Sequence, residues 1–115
     1  MADIRELTTN YVTAFNARDL DGVAKHLAEG FELTDPEVTA IKPKNKVLEY
    51  IKGLFDAHKT MSFEANSIYV DGDASVIHFT LDLGTTVLDG VDIIKWKHGR
   101  MISMHAYLNQ RSTLD

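Results

Sequence analysis

Residues 91–108 read VDIIKWKHGRMISMHAYL, two runs of alternating side chains hinged on His98-Gly99. Alternation with a period of two marks a half-buried strand, and a His-Gly pair between two such runs marks a tight hairpin. The first run extends back to Val87 and the second forward to Asn109, giving strands Val87–Lys97 and Arg100–Asn109. Upstream, Met61–Val70 and Ala74–Leu83 alternate in the same way around Asp71-Gly72-Asp73, and Gly84 turns the chain toward Val87. The second half of the chain is therefore expected to be antiparallel strands, with an irregularity at Asp89-Gly90.

The first half carries the other period. Ile4, Leu7, Tyr11, Ala14, Phe15 and Arg18 follow the three-and-four spacing of one helix face, with Asp3 placed to cap it. Asp19 offers a second cap before Leu20–Ala28, with Val23 and Leu27 facing inward and Gly30 as the stop. Phe31–Asp35 alternates as a short strand ended by Pro36, and after Pro43 the segment Asn45–Lys59 puts Val47, Leu48, Ile51, Leu54, Phe55 and His58 on one stripe. Helices first and strands second define an α+β fold, three helices packed on an antiparallel sheet, with residues 1–115 as one domain.

Composition narrows the function. The chain has 115 residues, 44% hydrophobic and 25% charged, a net charge of −5 and no cysteine. Disulfide scaffolds, thiolate nucleophiles and cysteine-ligated metals are excluded. The acidic balance argues against nucleic acid, whose affinity rests on cation–phosphate contacts. MADIRELTT carries charge where a signal peptide needs an apolar run, and no stretch is long enough to span a bilayer, so a cytoplasmic protein without a membrane partner is expected.

Following sides along each strand locates polar groups in apolar company. Ile77, Phe79, Leu81 and Leu83 share a face, Asp92 shares its side with Ile94 and Trp96, and Ile102, Met104, Ala106 and Leu108 share another. Asp35 lies on the side of Phe31 and Leu33, and Tyr11 lies on the inner stripe of the first helix. A buried carboxylate without partners costs several kcal/mol, so it pairs or stays protonated. Two acids and a phenol around an apolar cavity can enolise a ketone, one acid removing a proton while the other donates, beside the tyrosine, to the oxyanion. Each residue alone also has a plainer reading: Tyr11 as core with its hydroxyl at the edge, Asp35 as a strand-end turn residue before Pro36, and Asp92 turned to solvent by a slip at Asp89-Gly90.

The run YVTAFNARDLDGVAKHLAEGFELTDP, residues 11–36, resembles the first two helices and first strand of the ketosteroid isomerase branch of the NTF2-like (SnoaL-like) superfamily. VDIIKWKHGRMISMHAYL is similar to its closing hairpin, and the resemblance extends from about Thr8 to Gln110. It implies an NTF2-like (cystatin-like) cone, with the helices in the concave face of a curved antiparallel sheet. It also implies Tyr11 as the oxyanion-hole tyrosine, Asp35 as general base and Asp92 as the protonated acid beside the tyrosine. This family is itself the established example of a carboxylic acid held neutral for that purpose. The implied pocket wall is Phe15, Phe31, Phe55, Phe79, Leu81, Trp96, Met104, Ala106 and Leu108. Lys52 stands where the family often has a second tyrosine, and Leu108 where an aromatic usually covers the steroid.

The resemblance implies a steroid delta-isomerase-like reaction on a hydrophobic ketone, with no cofactor. Two alternatives stand beside it: a SnoaL-like small-molecule binder without catalysis, and a polyketide cyclase or epoxide hydrolase type of reaction in the same cavity. Outward-facing Val76, Val91, Ile93 and Tyr107, with the family habit of pairing through this face, lead to an expected homodimer. His26, His58, His78, His98 and His105 show no metal-ligand spacing, so no metal is expected. His58 is expected at the core edge and His105 on the outer face. Lys42, Lys44 and Lys46 read as a solvated loop near the pocket mouth or as a gate for an anion.

Overall fold

In a computed structural model, residues 3–36 and 40–110 are described; the ends of the expected 1–115 domain lie outside them. The elements run α1 (Ile4–Asn16), α2 (Leu20–Ala24), β1 (Leu27–Thr34), α3 (Lys44–Ala57), β2 (Ser62–Asp71), β3 (Ala74–Asp82), β4 (Val87–Lys97) and β5 (Arg100–Gln110). They form an α+β fold, with helices against a curved sheet in the order β1-β5-β4-β3-β2.

Local chemistry sets the boundaries. Asp3 caps α1 by accepting from Arg5 N, and Asp19 caps α2 by accepting from Gly22 N. His98 and Gly99 both have left-handed φ, +54° and +78°, as the two-residue β4–β5 hairpin requires. The C-terminal turn of α1 is tied to the sheet: Phe63 N donates to Asn16 Oδ1 at 2.8 Å, and an Arg18 guanidinium N–H donates to the Met61 carbonyl at 2.7 Å. Farther along, Trp96 Nε1 donates to Ser75 Oγ at 2.9 Å, and Ser75 shares a 2.8 Å hydrogen bond with Thr8 of α1. The Thr8 hydroxyl also reaches the Ile4 carbonyl at 2.7 Å, so this buried polar chain is satisfied from indole to backbone.

Four sequence expectations are corrected. The second helix stops at Ala24 instead of Ala28, and Leu27 and Gly30 belong to β1; Gly30 has no left-handed φ and acts as no stop. The sheet is mixed, because β1 joins β5 in parallel at the edge; side-chain alternation carries no strand direction. Pairing runs unbroken through Asp89 and Gly90 on both sides of β4. The irregularity instead falls in β5, where Lys95 pairs with Ser103 and Trp96 with Met101, leaving Ile102 as the extra residue. This bulge turns Ile102 outward, 41% exposed, and buries Met101 in its place.

Gly90 sits on the concave face opposite Phe79, and a Cβ there would press on the Tyr107 carbonyl oxygen and lie 2.7 Å from Phe79 Cζ. The absent side chain lets the ring cross the strand. Gly90→Ala is therefore expected to destabilise by about 1–3 kcal/mol, read as a lower urea midpoint at unchanged m-value; an unchanged midpoint would show that the strands have room.

Candidate functional site

The concave face is built in cross-strand rows. Ser75, Ile94 and Met104 make one, Ile77, Asp92 and Ala106 the next, and Phe79, Gly90 and Leu108 the third. Leu33 of β1 is level with Met104. Asp35, just beyond the last β1–β5 pair, lines the same cavity as Ala106 and Asp92. The small Ala106 methyl keeps the sheet floor low beside Asp92, while the Phe79 ring and Leu108 take up the space over Gly90. Tyr11 of α1 roofs the space, and Val47, Tyr50, Ile51 and Leu54 of α3 form its side.

The result is a cavity of about 90 Å³ lined almost entirely by carbon, into which Tyr11, Asp35 and Asp92 all open. Of the expected wall, Phe15, Phe31, Phe79, Leu81, Met104, Ala106 and Leu108 line it. Phe55 and Trp96 do not. Phe55 lies edge-on to Phe15 at 5.1 Å, so the Phe15 ring meets the cavity in its place. Trp96 is buried under α1 and committed to Ser75. Lys52 lies outside the cavity, ion-paired with Asp56 at 2.9 Å on the exposed side of α3. The loop lysines do not line it either: Lys44 reaches Glu29 at 3.8 Å, and Lys42 and Lys46 are exposed.

Sequence reading missed Leu27, Leu33, Val47, Tyr50, Ile51, Leu54, Phe63 and Met101 as wall residues. Tyr50 matters most, because its hydroxyl donates to Asp35 Oδ2 at 3.0 Å. Its spacing, three after Val47 and four before Leu54, was a usable signal.

Tyr11 and Asp92 are buried, at 3% and 5% exposure, whereas Asp35 is half-buried and marks the mouth. Neither the Tyr11 hydroxyl nor the Asp92 carboxyl has a hydrogen-bond partner among the described residues. Burial pushes the Asp92 carboxyl up to about 7, and the Asp35 charge pushes the same way. Burial also raises the Tyr11 phenol well above its usual range, with the Asp92 charge adding to the effect. Burial therefore favours the protonated form of both groups, which open into an apolar space. His26, edge-on to Tyr11 at 6.3 Å, is pushed down by partial burial and then by Arg100 and Lys25. His58 is half-buried at the C-cap of α3, and His105 is exposed and stacked on Tyr107 at 5.0 Å. Among the described residues no three His, Asp or Glu side chains come together to hold a metal ion, and no helix is long and apolar enough to cross a membrane.

Asp92 makes stability fall with pH. Its carboxyl titrates near 3.8 unfolded and about 7 folded, so between those values the folded state holds the extra proton. Stability from this group is full below the lower value and is lost as pH rises through the upper one. Asp92→Asn removes the effect. Relative to wild type, the variant is expected to gain about 1 kcal/mol per pH unit across this window, measured by urea unfolding at a series of pH values. A pH-independent difference would mean that Asp92 is not desolvated.

Residues 8–104 match the SnoaL-like domain family. No curated protein matches the chain. Among solved structures, a cystatin-fold protein from Novosphingobium aromaticivorans aligns with TM-score 0.85 at 11% identity, covering 92% of this chain and 98% of the other. A candidate ketosteroid isomerase from Kribbella flavida DSM 17836 aligns with TM-score 0.81 at 18% identity, over 97% and 82% of the two chains. AclR, a candidate hydroxylase from Streptomyces galilaeus, aligns with TM-score 0.80 at 18% identity, over 96% and 81%. At such identities the structures share the fold, and the match over residues 8–104 supplies the family: this chain belongs to the SnoaL-like family of the NTF2-like superfamily.

Proposed function

We propose that the protein is a cofactor-independent isomerase that moves a C=C bond in a hydrophobic β,γ-unsaturated ketone into conjugation with the carbonyl. The single observation carrying this reading is the pair of buried groups, Tyr11 and Asp92, without hydrogen-bond partners among the described residues and facing one apolar cavity that Asp35 also lines. Asp35 takes the proton from the carbon between the carbonyl and the alkene. The C–H electron pair forms a new C=C bond, and the carbonyl π pair moves to oxygen. Tyr11 and Asp92 donate to that oxyanion without giving up their protons. Asp35 then returns its proton to the γ-carbon as the C=O bond re-forms, so nothing is gained or lost overall. A preorganised pair of donors in a dry site favours the enolate over the ketone, as rate acceleration requires.

The cavity favours a compact substrate. Its volume of about 90 Å³ is well below the roughly 300–1,000 Å³ of sites for drug-sized ligands. Leu108 stands where an aromatic would cover a flat polycycle. A monocyclic ketone, or the reacting ring of a larger ketone whose remainder protrudes past Asp35, matches this space. Epoxide opening is less well served, since no Arg or Asn among the described residues lines the cavity to position water.

The same reading includes a homodimer. Tyr107 beside Val91, and Ile93 beside Val76 and then Tyr69, form a continuous outward patch across four strands. Tyr69 and Tyr107 are 60% and 55% exposed. Light scattering at micromolar concentration is expected to give twice the 12.9 kDa chain mass, and a value of one chain would refute pairing.

The activity test is turnover of a β,γ-unsaturated cyclic ketone, followed by the absorbance of the conjugated product. Asp35→Asn is expected to lower kcat by about 10²–10⁴ while still binding a phenol that mimics the enolate. Asp92→Ala is expected to lower kcat about 10²–10³ and to weaken phenol binding too. Phenol binding without turnover by the wild type would support the binder reading; full activity of Asp35→Asn would end the isomerase reading.

A further inference from the structure

Asp35 lies just beyond the last β1–β5 pair, Thr34 with His105, and is followed by Pro36. Its carboxyl must nevertheless stay over the cavity if it is to serve two carbon atoms in turn. One contact that meets it comes from α3. Tyr50 shares the stripe of Val47, Ile51 and Leu54, all of which line the cavity, and its hydroxyl donates to Asp35 Oδ2 at 3.0 Å. Tyr50 and Asp35 are both half-buried, so this hydrogen bond is partly shielded from competing water.

We propose that Tyr50 is the positioning residue for Asp35, anchoring one carboxylate oxygen so that the group stays over the cavity. The effect on turnover rests on the isomerase reading; the anchoring itself rests on the contact. Two consequences follow. A carboxylate tethered at one oxygen keeps its distance to the reacting carbons, and a misplacement of 1 Å can cost about 10²-fold in rate. The tether also keeps the Asp35 charge facing Asp92, where it opposes ionisation of the second acid. The titratable groups around Asp92 within the cavity are Asp35, Tyr11 and Tyr50.

Tyr50→Phe tests this, because it removes one oxygen and keeps the ring, leaving the apolar surroundings of Asp92 in place. Circular dichroism and the urea midpoint check the fold. Carbon-13 NMR titration of Asp92 is compared in wild type, Tyr50→Phe and Asp35→Asn, and kcat and KM are measured for the ketone. With the tether cut, the Asp92 midpoint is expected to move from about 7 toward the Asp35→Asn value, and kcat to fall about 10- to 100-fold with KM nearly unchanged. If Asp92 titrates as in wild type, Tyr50 does not hold Asp35 and the proposal is overturned, whatever kcat does. If the wild type turns over no ketone, the isomerase reading fails, and the Asp92 titration alone decides the role of Tyr50.

Discussion

Taking a carboxyl group out of water costs several kcal/mol unless it finds partners or keeps its proton. Asp92 meets this constraint in the middle of β4, between Ile77 of β3 and Ala106 of β5. Keeping the proton turns an acid into a hydrogen-bond donor, and Asp35 across the cavity reinforces that state by its charge. Two acids in one apolar space thus differ in burial, with no third charged side chain among the described residues lining it. The Tyr11 phenol is subject to the same physics. Buried on α1, it too holds its proton and faces the same space.

The rest of the architecture keeps that space open. Packing rules would ordinarily fill a concave sheet face with side chains from the helices above it. Here the positions beside Asp92 are Ala106 and Gly90, while Phe79 leans across the glycine. The β5 bulge completes the arrangement by swinging Met101 inward below Met104 and releasing Ile102 to the outer face. Away from the cavity, Thr8, Ser75 and Trp96 satisfy one another and fasten α1 to the sheet. The roof over the acids is therefore held by a polar chain that takes no part in the cavity itself.

Much of this was legible in the sequence, for a physical reason. Side-chain alternation fixes which residues share a strand face, so Asp92 beside Ile94 and Trp96 was readable as an inward acid, and unbroken pairing through Gly90 kept that register. A helix period put Tyr11 on the buried stripe of α1. What was not legible depends on backbone events without a side-chain signature. A single inserted residue at Ile102 inverts one end of β5, and nothing in MIS announces it. The parallel direction of β1 and its early start at Leu27 likewise depend on pairing with distant β5. Trp96 and Phe55 belong to the wall that the resemblance implies; burial under α1 and behind Phe15 keeps them from the cavity. The stripe read for α3 runs through Val47, Leu48, Ile51, Leu54, Phe55 and His58 and omits Tyr50, although helical spacing also places Tyr50 beside Val47 and Leu54.

In the proposed reaction Tyr11 and Asp92 donate together to one ligand oxygen. Proton NMR of the protein saturated with a substituted phenol tests it most directly, since hydrogens in short bonds to a buried phenolate resonate far downfield. Two such resonances are expected, one lost in Tyr11→Phe and the other in Asp92→Asn. A phenol complex without downfield resonances, or with both unaffected by these substitutions, would contradict the account.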